Sequence, residues 1–122
     1  MNALFIAAMI IVVIFGLGFI FSPGTLLGPM GVTLDANSDA LARLFGTAII
    51  NFPILLWFAR KSDNFQFKRG ALITIFCYFL FSGICLLVIE LKGLMNSMGW
   101  SVVILHLIFV IWCGWYLVRK TE

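Results

Sequence analysis

Four long apolar runs constrain this chain more than any other feature it has. They cover residues 3–21, 41–59, 70–91 and 99–118. A helix needs about 20 mostly apolar residues to cross about 30 Å of hydrocarbon. The first run holds no charge, the second only Arg43, the third only Glu90, and the fourth nothing titratable in the neutral range except His106. The runs are continuous and rich in Ala, Leu and Ile. Barrel strands alternate apolar and polar residues, so helices are expected. The expected fold is all-α: an integral membrane, antiparallel four-helix transmembrane bundle forming a single domain. Its outer loop would span 22–40 and its cytoplasmic loop 60–69. Charged residues make up 11% of the chain, where soluble domains carry about 25%, so a soluble enzyme is close to excluded. A disordered tail fits no better, because 63% of the residues are hydrophobic.

Loop charges give an orientation. Arg60, Lys61, Lys68 and Arg69 lie in the second loop, and Arg119 and Lys120 follow the last run. An even number of spans puts all six on one side with the N-terminus. The other side carries Arg43 and Lys92 against Asp35, Asp39 and Glu90. Basic loops stay in the cytoplasm, so both termini are expected there, in a bacterial inner membrane. The first run lacks a basic flank and a small-residue cleavage site, so it reads as a retained helix. Trp57, Trp112, Trp115 and Tyr116 gather toward the basic side and Trp100 toward the other, as an aromatic belt would. The basic residues lack the aromatic and glycine interleaving of a nucleic-acid module, so no nucleic acid is expected. The expected partners are the bilayer and either other membrane subunits or the chain itself.

The outer loop is broken by Pro23, Gly24, Gly28, Pro29 and Gly31. Such a segment is expected to lie in the outer interface or fold back over the bundle. Asp35 and Asp39 with Asn37 and Ser38 supply capping residues for the second helix.

Polar residues inside a membrane cost free energy, so each needs a partner or a purpose. On the second helix Asp39, Arg43, Thr47 and Asn51 fall within about 120° of arc, a face expected to point inward. Asp39 and Arg43 are spaced for an ion pair. That pair reads either as a structural bridge, with Asp35 or Glu90 as further partners for Arg43, or as the base of an anion site. Asn51 reads as interhelical glue or as a ligand contact. On the third helix Thr74, Tyr78, Ser82 and Cys85 share a face. On the fourth, His106 is the only histidine and sits near mid-span. It reads as a neutral ring bonded to Asn51, Ser82 or a carbonyl, or as a contact for a membrane-soluble ligand. Together Arg43, Asn51, Tyr78, Ser82 and His106 form a candidate ligand-binding stripe.

Catalytic and metal constellations are missing from the sequence. It has no HExxH, P-loop or GxSxG motif and no Cys/His set at zinc spacing. Neither a cofactor nor a metal is expected. The three cysteines, Cys77, Cys85 and Cys113, all lie inside apolar runs and read as small hydrophobes.

An apolar first helix ending at Pro23, a long outer loop, the run Arg43-Leu44-Phe45-Gly46 and a basic loop before two more helices occur here in that order. In this the chain resembles the small bacterial DoxX-like tetraspan membrane proteins. The resemblance implies the four-helix architecture and structural roles for Arg43 and Gly46. Thr47 stands where that pattern tends to have a second Gly. Paired cysteines, expected in redox-linked members, are lacking, so no thiol-redox role carries over.

The leading functional expectation is a non-enzymatic membrane protein, a small accessory or packing subunit or a self-assembling bundle. The alternative is a binder or carrier of a small hydrophobic ligand, a lipid or a quinone, in the inward polar slot. A membrane enzyme using His106 or Cys85 ranks third.

Overall fold

In a computed structural model, which describes residues 1–119, the described chain is helical throughout and contains no strand. Lys120, counted above among the basic flanking residues, lies outside the described residues. The long helices are α1 (Asn2–Phe21), α3 (Ala36–Ile49) continued by α4 (Asn51–Lys61), α5 (Phe65–Leu91) and α6 (Gly99–Val118). Between α1 and α3 a short helix, α2 (Pro23–Leu27), leads into a 3-10 turn at Gly28–Met30. Four helices, with α3 and α4 taken as one, are long and apolar enough to cross a membrane.

The fourth run has the bounds expected from its apolar residues. The second and third begin about a turn earlier than their apolar windows, because local capping extends them. Asp35 caps α3: its carboxylate accepts from the Ser38 N–H at 2.8 Å, and the Ser38 hydroxyl accepts from the Asp35 N–H at 2.9 Å. Asn64 caps α5 by accepting from the Phe67 N–H at 3.1 Å. The loop expected at 60–69 therefore shrinks to 62–64, and Lys68 and Arg69 stand on the first turns of α5. The second run also breaks at Ile50. Pro53 has no N–H to offer the Ile49 carbonyl, and its ring crowds that turn, so α3 and α4 meet at a kink.

Acid is expected to undo the α3 cap. Asp35 is held below its usual 3.8, first by the Ser38 backbone N–H and then by the Ser38 hydroxyl, with desolvation opposing them. A carboxyl whose pKa falls on folding stabilises the fold above its unfolded value. That contribution disappears as pH drops through the folded value. As pH falls through that folded value, which lies below 3.8, the Ser38 and Asp39 amides should lose protection relative to their intrinsic exchange rates while mid-helix amides keep theirs. Asp35→Ala should show the same fast exchange at neutral pH. Exchange insensitive to both changes would refute the cap.

Packing follows the small residues. Gly16 on α1 faces Ile49 and Ile50, while Gly46 on α3 faces Gly16, Phe19 and Ile20. Neither helix could approach so closely with a Cβ at these points. Glu90 meets Gly99, Gly83 meets His106, Phe79 stacks on Phe109 and Phe76 meets Gly114. The numbers rise on one helix as they fall on the other, so α5 and α6 run in opposite directions. The fully buried residues concentrate at one end, that of the 62–64 turn, which Arg60, Lys61, Lys68 and Arg69 flank. They include Leu4, Phe5 and Ala8 of α1, Leu56 and Ala59 of α4, Leu72 and Ile75 of α5 and Cys113 of α6. Toward the other end the packing of α4 on α5 is not continued along α3. The space left there holds the candidate site.

Candidate functional site

The space is a cavity of about 360 Å³ between α1, α3, α5 and α6. Phe15 and Phe19 of α1, Phe79 of α5 and Val102 of α6 form much of its apolar wall. Tyr78, Ser82, Cys85 and His106 bring the polar atoms and the sulfur. Among the described residues no charged side chain lines it. Phe45 of α3 and Phe81 and Cys85 of α5 belong to the lining and are also exposed on the outer surface. They mark a lateral slot between α3 and α5.

A roof closes the cavity at the end away from the 62–64 turn. Leu27 and Met30, from the segment between α1 and α3, and Met95, from the α5–α6 turn, contribute it. Asn96 latches the two parts together: its amide donates to the Pro29 carbonyl at 2.9 Å and its backbone N–H to the Met30 carbonyl at 2.8 Å. Gly31, at φ 79°, ends the 3-10 turn in the left-handed region and leaves room for the Asn96 side chain.

His106 is 7% exposed and its Nδ1 lies 2.8 Å from the Val102 carbonyl, one turn back on its own helix. Phe79 packs edge-on against the ring, with centroids 5.4 Å apart, and Tyr78 lies at 6.4 Å. Gly83 permits this approach, since a Cβ there would stand 3.2 Å from the His106 Cβ. Tyr78 is held in turn by Phe52 of α4, centroids 4.9 Å apart, and Ser82 lines the same space one turn further along α5.

Of the five stripe residues, the structure gathers Tyr78, Ser82 and His106 around one cavity and leaves Arg43 and Asn51 out of it. Asn51 is exposed, and its amide donates to Thr47 and Ala48 carbonyls at 3.1 and 3.2 Å. It serves the end of α3 above the Pro53 kink, not another helix. Thr47 likewise bonds its own helix, donating to the Leu44 carbonyl at 2.7 Å. The inward face of α3–α4 is instead apolar: Gly46, Ile49, Pro53, Leu56 and Ala59.

Arg43 does form the Asp39 ion pair, Nε to Oδ2 at 2.8 Å. Its Nη1 also donates to the Ile20 carbonyl at 2.8 Å and, at a long 3.5 Å, to that of Phe21. Arg43 therefore caps the C-terminus of α1. Among the described residues no ion pair joins Arg43 to Glu90, which is 8% exposed beside Gly99 and Met95 and whose Oε2 has no hydrogen-bond partner there. Thr74 is exposed, is not part of the cavity lining and donates to the Gly70 carbonyl at 2.9 Å. The three cysteines are free, with Cys113 buried. No cluster of three or more metal-ligating side chains occurs among the described residues.

Sequence reasoning missed the roof residues Met30, Met95 and Asn96. Their only signal was position in two turns on the same side. No protein family, no curated protein and no solved structure matches the chain.

Proposed function

We propose that this chain is a polytopic membrane protein that binds or carries a small hydrophobic molecule in the cavity around His106. One observation carries the reading: about 360 Å³ of space lined by apolar side chains and a few convergent polar groups. That is the usual form of a small-molecule site, which measures about 300–1,000 Å³. In this reading the helices form an antiparallel bundle across a bacterial inner membrane, in keeping with the DoxX-like resemblance. Arg60, Lys61, Lys68, Arg69 and Arg119 face the cytoplasm. Trp57 sits 4.6 Å from the Arg60 guanidinium and 4.2 Å from the Lys61 ammonium, and Trp115 4.7 Å from that of Arg119, which suits headgroup depth.

The test is to extract the protein with its surrounding lipid and identify what it carries by mass spectrometry. The parent should retain one small hydrophobic compound in stoichiometric amount. Ser82→Phe, which fills the cavity, should lose most of it while unfolding no more easily. Equal contents in parent and variant would remove the proposal.

A second reading, the small accessory or self-assembling subunit, draws on apolar outer faces such as Ile10, Ile14 and Leu17 of α1. Lipid covers such faces equally well. A single-chain mass with no co-purifying protein would eliminate it.

A further inference from the structure

We infer that the cavity takes an uncharged amphiphile whose head carries a hydroxyl, and that this hydroxyl donates to the Nε2 of His106. The inference rests on the cavity-binding reading above and adds the chemistry of the occupant.

The first step is the state of the ring. A backbone carbonyl only accepts, so the 2.8 Å contact to Val102 makes Nδ1 the donor. Among the described residues no acidic side chain lines the cavity, so an imidazolium there would lack a counter-ion. The ring is therefore neutral, with its proton on Nδ1 and a bare lone pair on Nε2. Val102 is the only hydrogen-bond partner of the ring among the described residues. The site thus offers an acceptor in apolar surroundings, and an acceptor selects a donor.

The second step concerns charge. A phosphate or carboxylate head would need a cation, and among the described residues no Lys or Arg lines the space. A head that only accepts, such as a carbonyl or an ether, leaves Nε2 unmatched. A hydroxyl can donate to Nε2 and also accept from the Tyr78 or Ser82 hydroxyl on the facing helix.

The third step concerns shape and route. Phe15, Phe19, Tyr78 and Phe79 offer ring faces and edges to a flat body. The Asn96 latch closes the roof, whereas Phe45, Phe81 and Cys85 border an opening in the side. The occupant comes sideways from the hydrocarbon phase, and a longer tail would stay in the slot.

The test uses two probes of nearly the same shape, 4-octylphenol and its methyl ether, with protein in lipid nanodiscs and empty nanodiscs as the baseline. The phenol should bind about tenfold more tightly than the ether, the size of one buried hydrogen bond. It should also move the Nε2 nitrogen resonance of His106, which the ether should leave in place. In His106→Phe, or in His106→Leu if the first variant folds poorly, the preference should fall to less than about twofold. Binding of both probes with equal affinity to the parent would overturn the hydroxyl assignment and leave the cavity reading standing. A preference that persists in both variants would overturn the role of His106. Binding of neither probe above the empty-nanodisc baseline would bring down the cavity reading itself.

Discussion

Replacing Gly46 with alanine should destabilise the fold by about 2 kcal/mol, within the range for overpacking a close contact. A Cβ at Gly46 would stand 2.8 Å from the Gly16 carbonyl oxygen, 2.8 Å from the Phe19 Cβ and 2.9 Å from the Ile20 Cγ1. Two of these neighbours cannot swing aside, since one is backbone and one is a Cβ, so α3 has to move off α1. In the membrane-embedded bundle proposed above, no hydrophobic gain offsets lost contact, because lipid tails are as apolar as the side chains. Alanine's better helix propensity returns up to about 1 kcal/mol, so the steric cost has to exceed that. Gly70→Ala provides the control: it adds the same methyl in helix α5 with nothing within 4 Å. It should be neutral or stabilising. Unfolding in mixed micelles, followed by loss of helix signal, measures both. Equal stability for the two variants would show that the α1–α3 contact is not set at Gly46.

The same contact shows what was legible in the sequence. The number of long apolar helices and the bounds of α6 follow from the length and continuity of the apolar runs. The starts of α3 and α5 were not legible from hydropathy. Polar caps, Asp35 and Asn64, carry them beyond the apolar windows. The kink at Ile50 had a visible cause in Pro53, but a 41–59 window averages over it. Helical periodicity placed Tyr78, Ser82 and His106 on inward faces, and they do meet at one cavity. The same reasoning failed for Thr47 and Asn51. It assumed that a polar side chain in lipid must seek another helix, whereas both return to carbonyls of their own. The cavity itself was invisible, since it depends on α3 diverging from α5 beyond the kink and on a roof made by two distant turns.

Arg43→Leu should cost about 2 kcal/mol, the scale of hydrogen bonds made by a charged donor. The end of α1 explains why. Gly18 keeps a bond from the Ser22 N–H, but α1 ends at Phe21, and the last carbonyls of a helix have no intrahelical donor. Ile20 and Phe21 carbonyls then depend on Arg43, at 2.8 and 3.5 Å. These carbonyls are also the negative end of the helix dipole, where a cation is favoured. The Asp39 bridge contributes less, because both side chains are over a third exposed and such pairs yield about 0.2–1 kcal/mol. Arg43→Lys should recover only part of the loss, since an ammonium cannot hold Asp39 and the α1 carbonyls in the same fork geometry. A double-mutant cycle separates the two duties. Asp39→Asn should cost under about 1 kcal/mol, and the Arg43→Leu loss should persist in its background. Amide exchange should rise over the last turn of α1 in Arg43→Leu and not in Asp39→Asn. If Asp39→Asn matched Arg43→Leu in cost and abolished its effect, Arg43 would be a bridge partner and nothing more.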